Sequence, residues 1–456
     1  MEFQTYNPTT GDALQRREHW PFEKAEKQLN ESWKDFLVWR RRSPKDRAQA
    51  VALWARSLKN QRDRLARMMT EEMGKPIRQA KAEIDKCIFT CEYLAAEGPK
   101  FLEPQRHESP YHESWVTYEP LGPILAIMPW NFPLWQVVRF AAPALIAGNT
   151  VLLKHADLTA GCAEIIGESA RDLVDGLRLI RNLPIDHEVA ADLMRHPKIR
   201  GVTFTGSTRG GREVARTAGE ALKKTVLELG GSDAYIVLSD ADVIAAAKTC
   251  AAARLVNGGQ SCVAAKRFIV ERPAAGAFVS ALVNEMKAVQ PGDPFDEDCR
   301  LGPLAAKKFQ AQLAEQVEDL QKLGGRVVLG GTVPEGPAAY YPPTVIVFER
   351  PTPGVGDIET FGPVAVVIVA ADAVEAMRAA NDSPYGLGGA LFTADTTKGL
   401  DLLRDFEAGF VVLNGSVQSD VRLPFGGVKD SGHGRELSVH GLHEFCNIKT
   451  VAQGAR

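Results

Sequence analysis

Val202-Thr203-Phe204-Thr205-Gly206-Ser207-Thr208-Arg209-Gly210-Gly211 passes from a strand through a glycine turn into a helix. Backbone N–H groups at the start of such a helix lack partners and its dipole is positive there, so the turn offers a seat for a pyrophosphate. The run departs from the Gly-x-Gly-x-x-Gly fingerprint. By itself it reads equally well as a plain strand–helix turn. Its neighbours repeat the pattern. Ile124–Met128 is a short apolar strand before a helix over Pro133–Ala147, and Asn149–Lys154 is a strand before a helix over Thr159–Val174. Ile199–Thr205 and Lys224–Leu229 are strands on either side of a helix over Arg209–Ala218. Strands separated by helices of about ten to fifteen residues specify a parallel sheet and an α/β fold.

A second series follows Asp240: helix Ala241–Asn257, strand Arg267–Val270, helix Ala274–Val289, and strands near Val327, Val345, Val364 and Val411. The boundary between the two α/β units falls near Gly230–Asp240. Residues 20–96 read as helices, Lys24–Arg41, Lys45–Gln61 and Gln61–Met73, with a stop and a new start at Met73-Gly74-Lys75-Pro76. Trp115–Pro120 alternates as a strand does, and the apolar tail His443–Val451 suits strand pairing, within the chain or on another subunit.

The 456 residues are 45% hydrophobic and 24% charged, with net charge −3, which argues against nucleic-acid or membrane-surface partners. The apolar window Ile124–Ala147 is broken by Pro129, Asn131, Pro133, Arg139 and Pro143, so it is no membrane span. The start Met1-Glu2-Phe3-Gln4 has no signal-peptide pattern, and a cytoplasmic location is expected. Seven irregularly spaced cysteines argue against a disulfide framework. Cys87 and Cys91, one helical turn apart, read as buried thiols, and neither they nor His440 and His443 have partners at ligand spacing, so no metal is expected.

Chemistry is concentrated in three short runs. In Asn257-Gly258-Gly259-Gln260-Ser261-Cys262-Val263 the flanking glycines and small polar residues leave Cys262 approachable, which suits a nucleophile better than a core thiol. In Glu228-Leu229-Gly230-Gly231-Ser232 a glutamate at a strand end before two glycines suits a base that must move. In Pro129-Trp130-Asn131-Phe132-Pro133 the prolines restrict Asn131, whose NH2 suits an oxyanion donor; capping the following helix is the other use of that side chain. Lys154 and Asp157, three apart at a strand end, suit ribose hydroxyls or form a surface ion pair.

These runs, together with Glu359-Thr360-Phe361-Gly362-Pro363, Pro424-Phe425-Gly426-Gly427 and Ser431-Gly432-His433-Gly434-Arg435-Glu436, occur in the order of the aldehyde dehydrogenase superfamily, which the chain resembles over essentially its whole length. Trp130–Arg139, Leu227–Asp233, Ala264–Arg267 and Gly441–Ile448 look most like the bacterial NAD(P)-dependent succinate-semialdehyde dehydrogenases. The resemblance implies a Rossmann-like cofactor domain (1–101 and 121–230), a catalytic α/β domain (231–430) and a small β extension for oligomerisation (102–120 and 431–456), in a homodimer or homotetramer. It implies Cys262 as nucleophile, Glu228 as general base, and Asn131 with the Cys262 N–H as oxyanion hole. Trp130 and Ser207, in the turn after Gly206, would meet the pyrophosphate, and Lys154 and Asp157 the adenine ribose. Gly230 would also bind the cofactor, Glu359 would hold the nicotinamide ribose and Phe361 pack beside the ring. The thiolate would add to an aldehyde, hydride would leave to the nicotinamide, and water activated by Glu228 would release the acid.

Arg139 is a charge among apolar neighbours, about 12 Å beyond Asn131 at about 1.5 Å per helical residue. It suits the far carboxylate of a short semialdehyde or a salt bridge to an acidic neighbour, and the resemblance favours the carboxylate. Some relatives carry a second arginine where this chain has Val256; Ser419 and Arg422 are the expected compensating contacts. Asp157 favours a ribose 2′-OH over a 2′-phosphate, so NAD is expected over NADP, with Lys154 and His155 softening the repulsion. Rival readings are a dehydrogenase for another short or carboxylated aldehyde, a CoA-acylating enzyme, a cysteine hydrolase, or a non-catalytic protein. Glu228 argues against the CoA-acylating enzyme, the want of an activating histidine motif against the hydrolase, and the intact Cys262, Glu228 and Asn131 against the last.

Overall fold

The computed structural model describes residues 2–454; Met1, Ala455 and Arg456, the outer ends of the divisions expected above, lie outside the described residues. The helices Phe22–Trp39, Pro44–Asn60, Arg62–Met73 and Ile77–Glu97 form the first part of the chain. Ser43 and Asp46 make a reciprocal capping box at the second, and Gly74 ends the third in a left-handed conformation. Trp54, Leu65, Ile84 and the buried thiols Cys87 and Cys91 pack against Ile124 and Val151 of the first sheet.

That sheet has six strands in the spatial order Gly432–His433, Lys224–Glu228, Gly201–Thr205, Pro123–Met128, Thr150–His155 and Ile180–Asn182. Its last five strands are parallel. A second sheet of seven strands runs Arg326–Leu329, Thr344–Phe348, Val364–Ala370, Arg267–Glu271, Ala234–Val237, Gly388–Phe392 and Phe410–Leu413, all parallel except the first. Most of these strands are apolar throughout because helices cover both faces. A third, antiparallel sheet joins Gln105–Arg106, Glu113–Pro120 and Cys446–Gln453, so the apolar tail pairs within its own chain.

One expected boundary moves. Gly432–His433, placed with the extension, forms the antiparallel edge of the first sheet opposite Glu228 and Leu227. A hairpin of Glu2–Tyr6 and Ala13–Glu18 also appears ahead of the helices. Among the described residues no helix is long and apolar enough to cross a membrane.

Candidate active site

Parallel strands deliver their following turns to one edge, and the carboxyl edge of the first sheet carries the expected cofactor row. Trp130 and Asn131 follow Pro123–Met128, Asp157 follows Thr150–His155, and Gly206 and Ser207 follow Gly201–Thr205. Ser207 caps the helix Thr208–Glu220, its Oγ accepting from the Gly210 N–H at 3.2 Å. A β-carbon on Gly230 would fall 2.5 Å from Glu359 Oε2, so the backbone passes close against that carboxylate. Glu359 Oε1 accepts from the Gly231 N–H at 3.0 Å. Phe361 meets the Trp130 ring edge-on at 5.8 Å, while Phe309 stacks on it at 4.7 Å. Helix N–H groups, a close glycine turn, the Glu359 carboxylate beside it and an aromatic pair form a set that fits a dinucleotide.

Lys154 Nζ lies 3.8 Å from Asp157 Oδ1 and donates to the His155 carbonyl. Asp157 Oδ2 is also 3.1 Å from His19 Nε2, a contact from the N-terminal segment that sequence reading missed. His155 does not soften Asp157. It is buried between the Pro133 carbonyl at 3.0 Å and Thr159 Oγ1 at 3.1 Å, and burial pushes its pKa down to about 4.

Cys262 arrives from the amino edge of the second sheet, ahead of Arg267–Glu271. Asn257, Gly258 and Gly259 hold φ of 51°, 64° and 78°, a left-handed run that glycine tolerates and Asn adopts more readily than most residues. A β-carbon at Gly259 would strike the Gly362 carbonyl, which brings the Glu359–Pro363 turn against the Cys262 loop. The Asn131 NH2 donates to the Gln260 carbonyl at 3.0 Å, and the Asn257 NH2 to the Asn131 carbonyl at 2.8 Å. Asn131 makes no cap for the next helix. Glu83 accepts from the Leu134 and Trp135 N–H groups instead, both at 2.9 Å, and is paired with buried Lys75, which also donates to the Asn131 carbonyl at 2.9 Å. Lys266, fully enclosed, donates to the Ser261 carbonyl at 2.9 Å and the Cys262 carbonyl at 2.6 Å.

Burial pushes the Cys262 thiol up to about 11, against the pull of the Arg139 and Lys266 cations. Glu228 is 1% exposed, and both its oxygens lack hydrogen-bond partners. Burial holds its carboxyl well above the usual range, countered by Arg139. Gly426 passes directly over it, where a β-carbon would come 2.8 Å from Oε1.

Arg139 adopts the salt-bridge alternative. It is 2% exposed, its Nε pairs with Glu436, and its guanidinium lies 4.9 Å over the Phe425 ring. It does not stand free as a carboxylate clamp, because a buried guanidinium needs a counter-charge and Glu436 already supplies it. Arg422 is exposed and holds Asp420 at both ends, at 2.8 and 2.6 Å, so it is not the compensating contact. Ser419 accepts from Lys86 Nζ at 2.7 Å. Lys75, Glu83, Lys86, Lys266 and Glu436 were all missed as site residues. The signal for Glu83 and Lys86 was their three-residue spacing on one helix.

Fold and site define an NAD(P)-type thiol dehydrogenase architecture, and comparison makes the class definite: the aldehyde dehydrogenase family matches over residues 1–451, and the chain belongs to it. It is 43% identical to the succinate semialdehyde dehydrogenase [NAD(P)+] Sad of Escherichia coli K12, over 98% of this chain and 96% of that one. It is 41% identical to succinate-semialdehyde dehydrogenase [NADP(+)] 1 of Mycobacterium tuberculosis H37Rv, over 99% of both. The crystal structure of succinic semialdehyde dehydrogenase from Streptococcus pyogenes with NADP+ superposes with a TM-score of 0.96 at 33% identity, covering 99% of this chain and 100% of that one.

Proposed function

We propose that this enzyme oxidises succinate semialdehyde to succinate with NAD(P), through a thiohemiacetal and a thioester on Cys262. Cys262 Sγ adds to the aldehyde carbon as the thiolate, its proton having gone to solvent, so Glu228 stays free for the later step. The Asn131 amide and the Cys262 N–H stabilise the alkoxide; removing one such donor typically costs about 2.7–4 kcal/mol. The bound nicotinamide supplies the acceptor for hydride. Glu228 then takes a proton from water as it attacks the thioester carbonyl, and the acid leaves. The observation that carries this reading is the buried carboxyl of Glu228, unpartnered on both oxygens, whose charge bears on Cys262. A pure binding protein has no reason to leave it so.

Trp130, Gly206, Ser207, Gly230, Glu359 and Phe361 would hold the dinucleotide, with Lys154 and Asp157 at the adenine ribose. Asp157 supports NAD over NADP, because its carboxylate accepts from a 2′-OH and repels a 2′-phosphate. The mycobacterial relative carries NADP in its name and the streptococcal structure holds NADP+, so the assay compares both dinucleotides. The four-carbon carboxylated substrate is supported by the relatives' names and by the enclosed cation Lys86 on the helix that docks against Trp135. A cytoplasmic dimer or tetramer completes the reading, supported by the exposed Ile448 on the third sheet; light scattering checks its size. The decisive assay follows reduction of NAD and NADP with succinate semialdehyde and butanal. Turnover favouring the carboxylated aldehyde is expected. No turnover with either overturns the reading, and a higher kcat/KM with NADP overturns the NAD preference.

A further inference from the structure

Lys86 lies on the helix Ile77–Glu97 one turn beyond Glu83, and Glu83 fastens that helix to the start of Trp135–Ala147. Lys86 therefore faces the helix carrying Arg139. Its ammonium sits 4.1 Å from the Trp135 ring centroid and donates to Ser419 Oγ at 2.7 Å. Among the described residues no carboxylate lies within ion-pair distance of it, although it is largely enclosed. An enclosed cation against a neutral hydroxyl and an aromatic ring is an arrangement that an anion completes. Trp135 and Arg139, four residues apart, stand one above the other on their helix, and the charge of Arg139 reaches both Lys86 and Cys262. Arg422, three residues beyond Ser419, is held by Asp420.

We propose that Lys86 is a specificity-determining residue whose ammonium, with the Ser419 hydroxyl, binds the distal carboxylate of the semialdehyde. This rests on the substrate reading above. Burial brings the Lys86 ammonium down to about 8. Arg139 on the facing helix pushes it the same way, while Cys87 and Glu83 on its own helix and Asp420 beside Ser419 hold it up. The cation is therefore lost as pH rises through that value, and carboxylate binding weakens with it.

The test is steady-state kinetics on the full-length enzyme, its Lys86→Met and its Lys86→Arg variant, with succinate semialdehyde and butanal, on either side of about pH 8. Wild type should show KM for succinate semialdehyde rising above that pH while KM for butanal stays level. Lys86→Met should raise KM for succinate semialdehyde relative to butanal by about tenfold or more, with little change in kcat, the mark of lost uniform binding. Lys86→Arg should keep the preference and abolish the rise with pH, because a guanidinium does not titrate there. An unchanged KM ratio in Lys86→Met overturns the proposal. Should that variant not fold, a KM in Lys86→Arg that still climbs above about pH 8 overturns it equally. A wild type with no preference for the carboxylated aldehyde removes the substrate reading as well; a preference indifferent to Lys86 removes this proposal alone.

Discussion

Glu83→Gln tests how the oxyanion hole is held in place. Glu83 touches neither substrate nor cofactor in this account. Its carboxylate accepts two helix N–H groups at 2.9 Å and pairs with Lys75, whose ammonium donates to the Asn131 carbonyl. Both side chains are at most 2% exposed. Neutralising one member strands the other, and breaking a buried pair of this kind costs about 3–5 kcal/mol of stability. Catalysis has its own bound. If Asn131 were lost entirely as a donor, kcat would fall about 10²–10³-fold. A displaced but present amide should lie between that ceiling and roughly tenfold, since positional errors near 1 Å can cost up to about 10²-fold. Cofactor affinity should change less than kcat, because apart from Trp130 the dinucleotide row lies on other turns. The assay pairs denaturant unfolding with kcat and cofactor Kd on the folded variant. A folded Glu83→Gln enzyme with wild-type kcat would refute the positioning argument.

Two further outcomes are expected. Burial raises the Cys262 pKa to about 11, and only the thiolate is nucleophilic, so alkylation of the cofactor-free enzyme by iodoacetamide should still be accelerating well above the range where an ordinary thiol, near about 8.5, has levelled off; a plateau near the ordinary value would remove the claim. Asp157→Ser should raise the ratio of kcat/KM for NADP over NAD by roughly tenfold, equivalent to about 1.4 kcal/mol, as measured by initial rates with each dinucleotide; an unmoved ratio would mean that Asp157, held by His19, does not face the 2′ position.

Much of the site was legible because its signals are local. Strand–turn–helix runs such as Val202–Gly211, and glycine-flanked Cys262 and Glu228, carry their chemistry within a few neighbours. The missed parts depend on distant packing. Glu83 and Lys75 sit in an ordinary polar stretch, and only docking against Leu134 and Trp135 makes them a buried pair. Arg139 was noticed as an anomaly, but its partner Glu436 comes from the far end of the chain. The strands Ala234–Val237 and Gly388–Phe392 escaped because short apolar runs buried on both faces show no alternation. The hairpin Glu2–Glu18 escaped for the opposite reason, since its second strand, Ala-Leu-Gln-Arg-Arg-Glu, lies open to solvent and is polar.

The most direct measurement is mass spectrometry of Glu228→Gln enzyme mixed with succinate semialdehyde and NAD(P). Without the base, the acylated enzyme should accumulate, with a single burst of reduced cofactor and one succinyl group on the peptide carrying Cys262. Cofactor reduction that continues in Cys262→Ser, or an acyl group found on any other residue, would contradict the account.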